Sequence, residues 1–179
     1  MAYFSKKKNL RAEKEPEVYS ALEVARHIIN YSNQAEQFLS VLKLQKIMYF
    51  VQAKFLISQG RPCFADNIEA WDFGPVVPSV LHEFLRFGLY SIPPVTHYFV
   101  DDEKAYFGIR KVEFLDRTIS DEDKAAIDEV VDYFAEYSSV DLTDLTQKQK
   151  PWTDAYCRDC QNVIPVDGIR TYFADRKSG

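Results

Sequence analysis

The stretch Ser40-Val41-Leu42-Lys43-Leu44-Gln45-Lys46-Ile47-Met48-Tyr49-Phe50-Val51-Gln52-Ala53-Lys54-Phe55-Leu56-Ile57-Ser58-Gln59-Gly60 decides how this chain folds. Ser40 suits a helix N-cap, and Gly60 followed by Pro62 is the punctuation that ends a helix. Stepping each residue by about 100° puts Leu44, Ile47, Met48, Val51 and Phe55 on one apolar face. Leu42, Tyr49, Ala53, Leu56 and Ile57 fall on a second face roughly opposite. Two narrow polar stripes separate them, Lys43, Lys46 and Lys54 on one side and Gln45, Gln52 and Gln59 on the other. A helix that is apolar on two faces has to be covered on both. The spacing therefore predicts a central helix over 40–59 with other elements packed around it. Its lysines read as long stems that carry their charge out to water.

Outward from this helix the pattern stays mainly α-helical. Ser20 and Glu23 have the spacing of a capping box, and Leu22, Ala25, Ile28 and Ile29 form the stripe of a helix over 20–33. His27, four residues after Glu23, reads as an exposed ion-pairing side chain. After the central helix, 64–78 reads as an apolar connection with a turn at Gly74-Pro75. Pro78 opens a short helix to residue 87, with Val80, Leu81, Phe84 and Leu85 as its stripe. The aromatic and β-branched runs on either side of 101–104 suggest a small β-hairpin near 96–114. Helices return after Ser120, where Asp123 holds the capping position, near Val140 to Leu145, and after Pro165, where Ile169, Tyr172 and Phe173 face inward. The candidate core is Leu44, Ile47, Met48, Val51, Phe55, Phe84, Trp152, Ile169 and Phe173.

Composition bounds this picture. A chain of 179 residues with 46% hydrophobic residues, 13 Phe and 11 Tyr fills one core and is not globally disordered. Residues 1–17 read as a flexible basic arm, 18–175 as one domain and 176–179 as a tail. The net charge of −5 is unevenly spread, with 11 Lys and Arg against 9 Asp and Glu in residues 1–100 and 11 against 18 thereafter. Lys6, Lys7 and Lys8 make a basic cluster, but in a terminal arm and not on a dense face, so direct nucleic-acid binding is not expected. No apolar run is long enough to cross a membrane, and the start lacks the order of a signal peptide, so a cytoplasmic location is expected. The odd count of three cysteines speaks against a disulfide framework and for reduced thiols.

Reaction chemistry is hard to find. Cys157 and Cys160 form one CxxC, half of a zinc site, without a second pair of soft ligands. The pair lacks the strand before it and the helix after it that a thioredoxin-like motif needs. Nothing in the sequence brings Cys63, His82 and a carboxylate together as a nucleophile. Glycine-rich phosphate loops and paired carboxylates are absent. The expectation is no catalytic residue, no metal and no cofactor.

Specific runs carry a resemblance. Leu44-Gln45-Lys46-Ile47-Met48-Tyr49-Phe50-Val51-Gln52, then Gly60-Arg61-Pro62, then Ile68 through Trp71-Asp72-Phe73-Gly74-Pro75-Val76-Val77-Pro78, and His82-Glu83-Phe84 follow one another in a fixed order. Together with Leu142 to Trp152 and Ile169 to Phe173 they resemble the Panacea antitoxin domain, a family that includes SocA-like, phage-associated proteins. The resemblance covers roughly residues 20–173. Gln147 stands where the family commonly has His, and Phe73 where it has Tyr. The helix-turn-helix domain that some members add is not expected here.

The resemblance implies an antitoxin that binds a protein toxin encoded nearby and blocks it by direct contact. SocA-like members are also described as adaptors that hand a toxin to a AAA+ protease. The alternatives are a phage accessory protein without a toxin and an enzyme or metal-dependent regulator built on the CxxC. The candidate partner-contact residues are Lys46, Trp71, Phe73, Gly74, Pro75, Pro78 and His82. Gly74-Pro75 and Pro78 stiffen that loop, so its aromatic rings are presented at low entropic cost. Phe73 borders the turn and is expected nearer the surface, whereas Trp71 either anchors a partner or lies buried under the central helix.

Overall fold

The computed structural model describes residues 18–177; the segments 1–17 and 178–179, including the basic cluster, lie outside the described residues. The chain forms α1 (Ala21–Gln34), α2 (Val41–Ser58), β1 (Glu69–Trp71), β2 (Gly74–Val76) and α3 (Pro78–Phe84). After these come β3 (His97–Asp101), β4 (Ile109–Glu113), α4 (Asp121–Tyr133), α5 (Ser139–Gln147), α6 (Lys150–Ala155) and α7 (Val166–Lys177). This is a mainly α domain with two small antiparallel hairpins, β1–β2 and β3–β4. The predicted hairpin near 96–114 is β3–β4. The β1–β2 hairpin falls inside the stretch read as a connection. The helix expected to residue 87 ends its α-geometry at Phe84 and tightens into one 3-10 turn, Leu85–Phe87. At the other end α7 continues to Lys177, two residues into the predicted tail.

The caps follow the sequence. The Ser20 hydroxyl accepts from the Glu23 N–H while the Glu23 carboxylate reaches back to the Ser20 N–H, and Ser40, Ser120 and Ser138 cap α2, α4 and α5. Helix α2 sits at the centre and touches α1, α3, α4, α5, α7 and β2. Leu44, Ile47, Met48, Val51, Phe55, Phe84, Trp152 and Ile169 are buried, and Phe173 packs half-buried against them.

The polar stripes of α2 differ from expectation. Lys43, Gln45, Lys46 and Gln52 are as buried as the apolar faces, so they do not carry their heads to water. The reason is that each meets a backbone group of a loop packed on the helix. Gln52 Oε1 accepts from the Cys63 and Phe64 N–H groups at 2.9 and 3.3 Å, and its Nε2 donates to the Phe64 carbonyl at 3.1 Å. Gln45 Oε1 accepts from the Val77 N–H at 2.7 Å, and Lys43 Nζ donates to the Ala135 carbonyl at 2.6 Å. Apart from Gln45 Nε2, which is buried without a hydrogen-bond partner, these polar groups are satisfied and fix which loop lies on which turn of the helix.

His27 is another difference. It is buried because α4 packs over the polar face of α1, and its ring nitrogens bond Asp116 at 2.7 Å and Asp128 at 2.8 Å. The Asp123 carboxylate, read as a capping group, instead accepts from Tyr19 at 2.6 Å, Gln59 at 3.0 Å and Arg61 at 2.6 Å. Burial pushes this carboxyl up, but the hydrogen bonds outweigh it and hold the group below the usual carboxylate range. The cysteines differ too. Cys157 and Cys160 are joined as a disulfide, their Cα atoms 5.3 Å apart and within the reach of such a bond, while Cys63 is free and buried.

Candidate functional site

The β1–β2 hairpin gathers residues from distant parts of the chain. Trp71 pairs with Gly74 across a two-residue loop of Asp72 and Phe73. The glycine has φ +96°, which an L side chain rarely adopts, and the backbone lies against α2 so closely that a Cβ would stand 2.8 Å from Lys46 Cε and 3.0 Å from Thr146 Oγ1. Glycine is thus required there by conformation and by space. Around the loop, Gln147 Nε2 donates to the Asp72 carbonyl at 2.6 Å, Trp152 Nε1 to the Trp71 carbonyl at 3.1 Å, and the Tyr156 hydroxyl to Asp72 Oδ1 at 2.9 Å. Helices α2, α5 and α6 therefore clamp one short turn.

Lys46 lies beneath it. The side chain has no exposed surface, its Nζ donates to the Pro75 carbonyl at 3.3 Å, and it stands 5.7 Å from the centroid of the Phe73 ring. Burial alone pulls its ammonium down to about 7, with no carboxylate to offset the lost hydration. A lysine held this way is a strained support for the hairpin and not a surface contact.

The candidate contact residues separate accordingly. Lys46, Gly74 and Pro75 are interior; Trp71, Phe73 and Pro78 are half-buried; His82 is exposed, and so is Asp72 of the loop, which was not among the candidates. Trp71 and Phe73 stack edge to face at 5.7 Å and form one unit, with Trp71 Nε1 donating to Glu69 at 2.8 Å. His82 sits in the last turn of α3. Sequence reasoning missed the groups that bond to or line the far side of this hairpin, namely Gln147, Tyr156 and the Cys157–Gln161 loop. Of these only Gln147 stood out in the sequence, as a departure from the family's His, and its amide donates to the Asp72 carbonyl. Among the described residues no group of His, Cys, Asp and Glu is arranged to hold a metal ion, and no helix is long and apolar enough to cross a membrane.

Comparison with known proteins matches these pieces. Residues 44–153 match the family described as Antitoxin SocA-like, Panacea domain. A stretch of 70 residues is 37% identical to Antitoxin SocA of Caulobacter vibrioides (strain NA1000 / CB15N), covering 39% of this chain and 37% of that protein. The match thus spans little more than a third of that relative's length. No solved structure matches the chain. The matched segment holds most of α2, both hairpins, Gln147 and Trp152, and so most of the clamp that surrounds β1–β2; Tyr156 lies beyond it.

Proposed function

Because this chain belongs to the SocA-like Panacea antitoxin family, we propose that it neutralises a toxin encoded beside it by direct, stoichiometric protein contact and without turnover. The observation that carries this reading is the meeting of three of the resembling runs, at Gln45 and Lys46, at Trp71 to Val77, and at Gln147 to Trp152, on one hairpin. Its aromatic pair, Trp71 and Phe73, is half-buried, and its loop residue Asp72 is exposed. Rigid aromatic side chains that keep part of their surface free lose little entropy on binding and are the usual anchors of protein interfaces. The contact set we propose is Trp71, Asp72, Phe73, Pro78 and His82, with Lys46, Gly74 and Pro75 holding it from inside.

The test pairs folding with neutralisation. Phe73→Ala and Asp72→Ala are measured for thermal stability as purified proteins and for rescue of cells that express the adjacent toxin. The expected result is that at least one keeps its melting temperature within a few degrees and loses rescue. Loss of rescue that always tracks loss of folding removes the hairpin from the interface. Toxin abundance in the rescued cells separates two modes: masking leaves it unchanged, whereas delivery to a AAA+ protease lowers it only while that protease is present.

A further inference from the structure

The segment between α6 and α7 carries the chain's only cysteine pair and lies against the β1–β2 hairpin. Cys157 and Cys160 are both exposed and joined to each other, within reach of a dithiol from solution. Cys63 is enclosed in the core and its thiol is pushed far up by burial, so it does not compete. The segment is tied to the hairpin on both sides of the disulfide. Before it, the Tyr156 hydroxyl holds Asp72; after it, the Ala70 N–H donates to the Asn162 carbonyl at 2.8 Å and the Ile164 N–H to the Ile68 carbonyl at 2.7 Å. A bridge between Glu69 and Val163 extends the edge of β1.

Between these ties the loop and the hairpin enclose a cleft of about 100 Å³. Trp71, Asp72 and Phe73 line one wall, and Cys157, Asp159 and Gln161 the other. Two of the loop residues are in the left-handed region without being glycine, Asp159 at φ +63° and Gln161 at φ +49°. Such conformations persist only where the surroundings hold them. Here the surroundings are the cross-link and the flanking backbone bonds.

We propose that Cys157 and Cys160 form a reversible thiol–disulfide site, and that reducing it loosens the 156–163 segment and uncovers Trp71 and Phe73. The reductant is a dithiol. Its thiolate attacks one exposed sulfur, breaking the S–S bond, forming a mixed disulfide and releasing the other cysteine as a thiolate that takes up a proton. The reductant's second thiol then displaces the remaining cysteine and leaves as its own disulfide. Two electrons pass to the protein with two protons. The tetrapeptide is no longer closed into a ring, and Asp159 and Gln161 can leave the left-handed region. The cleft wall they form then moves away from the aromatic pair. The consequence for toxin binding rests on the proposed function; the redox step and the loop motion do not.

The test uses the full chain equilibrated in buffers of reduced and oxidised dithiothreitol, from fully reducing to fully oxidising. Alkylation and mass analysis report the state of the 157/160 pair. Tryptophan emission reports the hairpin, because the chain's two tryptophans, Trp71 and Trp152, are hydrogen-bonded to each other at this site. The expected result is a reversible passage between disulfide and dithiol. Emission should shift to the red on reduction, and exchange of the Ala70 amide should be at least tenfold faster in the reduced form. Cys157→Ser with Cys160→Ser should show the reduced emission in every buffer. A pair that does not titrate overturns the proposal, as does one that titrates with emission and exchange unchanged; both readings come from the unmodified chain, so they hold even if the double variant fails to fold. Toxin affinity is measured last in the two states. Equal affinity with a moving hairpin overturns the regulatory role alone, and Phe73→Ala tests the proposed function separately.

Discussion

The two hairpins of this domain are both antiparallel and both short, yet they are held by different means. β3–β4 pairs five residues a side and stands largely in solvent, with Tyr106 and Phe107 at its tip 95% and 83% exposed. Its supports are mostly local: the Asp102 N–H donates to the Gly108 carbonyl, Arg110 pairs with Asp102 at 3.0 Å, and the two tip rings meet edge to face, while from α1 the Arg26 guanidinium lies 3.8 Å over the Tyr98 ring. β1–β2 pairs only three residues a side, yet β2 is wholly buried, and the hairpin is held from α2, α5 and α6. A three-residue ladder has little stability of its own. What keeps it in place includes residues 81 and 84 positions away in sequence. The difference teaches that the first hairpin is a product of the tertiary structure and the second mostly of its own chain.

The largest effect should come from the glycines that turn each hairpin. Gly74→Ala forces a side chain into a positive φ and onto Lys46 and Thr146, so strain and overpacking add. The expected loss is about 3 to 5 kcal/mol. Gly108 has φ +72° but open space around it, so Gly108→Ala should cost about 1 to 2 kcal/mol through the backbone alone. Equal losses in chemical denaturation would break the comparison, since they would mean that the clamp around Gly74 is not tight.

Lys46 gives the next effect, and it has a sign in pH. Its folded value of about 7 lies below the ordinary 10.5, so between those limits the unfolded chain binds a proton that the native chain does not. Stability therefore rises with pH across that window, and the full cost of the buried ammonium is present below pH 7. Lys46→Met keeps the stem and removes the charge. It should stabilise the protein at pH 6 by roughly 2 to 4 kcal/mol, after allowing for the orphaned Pro75 carbonyl. The gain should vanish within the window and become a loss of about 1 to 3 kcal/mol by pH 10.5, where only the orphaned carbonyl still counts. Melting curves at both pH values check it, and a gain independent of pH would mean that the amine is hydrated in the native state.

These residues also show what was legible in the sequence and why. Helices α1, α2 and α4 were readable because their caps and stripes are local, and β3–β4 because its two aromatic runs are split by a polar link. β1–β2 was not, because Glu69-Ala70-Trp71 and Gly74-Pro75-Val76 are too short to show alternation and their partners are Gln45, Gln147 and Trp152 on separate helices. The same limit hid the fate of Lys46. A wheel places it on a polar stripe, but only the packed hairpin turns that stripe into an interior. Of the candidate contact residues, the aromatic pair and His82 could be named from sequence, while the disulfide loop that faces the pair could not, since nothing in Cys157 to Gln161 points to Trp71.

Single tertiary bonds to the first hairpin come next in size. Trp152→Phe keeps most of the ring but leaves the Trp71 carbonyl without its indole donor, which should cost about 1 to 2 kcal/mol. On the second hairpin the matching change is Arg110→Ala, which breaks an exposed ion pair and should cost under about 1 kcal/mol. Denaturant midpoints on the two variants sharpen the comparison: the ratio of their losses measures how much more β1–β2 depends on the rest of the fold.

The smallest expected effect is at the tip of β3–β4. Tyr106 and Phe107 contact each other and little else, so replacing both with Ser removes one exposed ring pair and no buried area. Surface changes of this kind fall within about 0.5 kcal/mol. The ladder from His97 to Glu113 and the Asp102–Gly108 turn remain, so the hairpin should keep its amide protection. A larger loss would show that the aromatic tip packs on something in solution, and β3–β4 would then join β1–β2 as a hairpin held from outside. The same variant is the natural control in the toxin-rescue assay, because it removes exposed aromatic surface at a distance in sequence from Trp71 and Phe73 without touching the clamp. If rescue survives Tyr106→Ser with Phe107→Ser and fails with Phe73→Ala at matched stability, contact with the toxin runs through the hairpin that the whole fold supports.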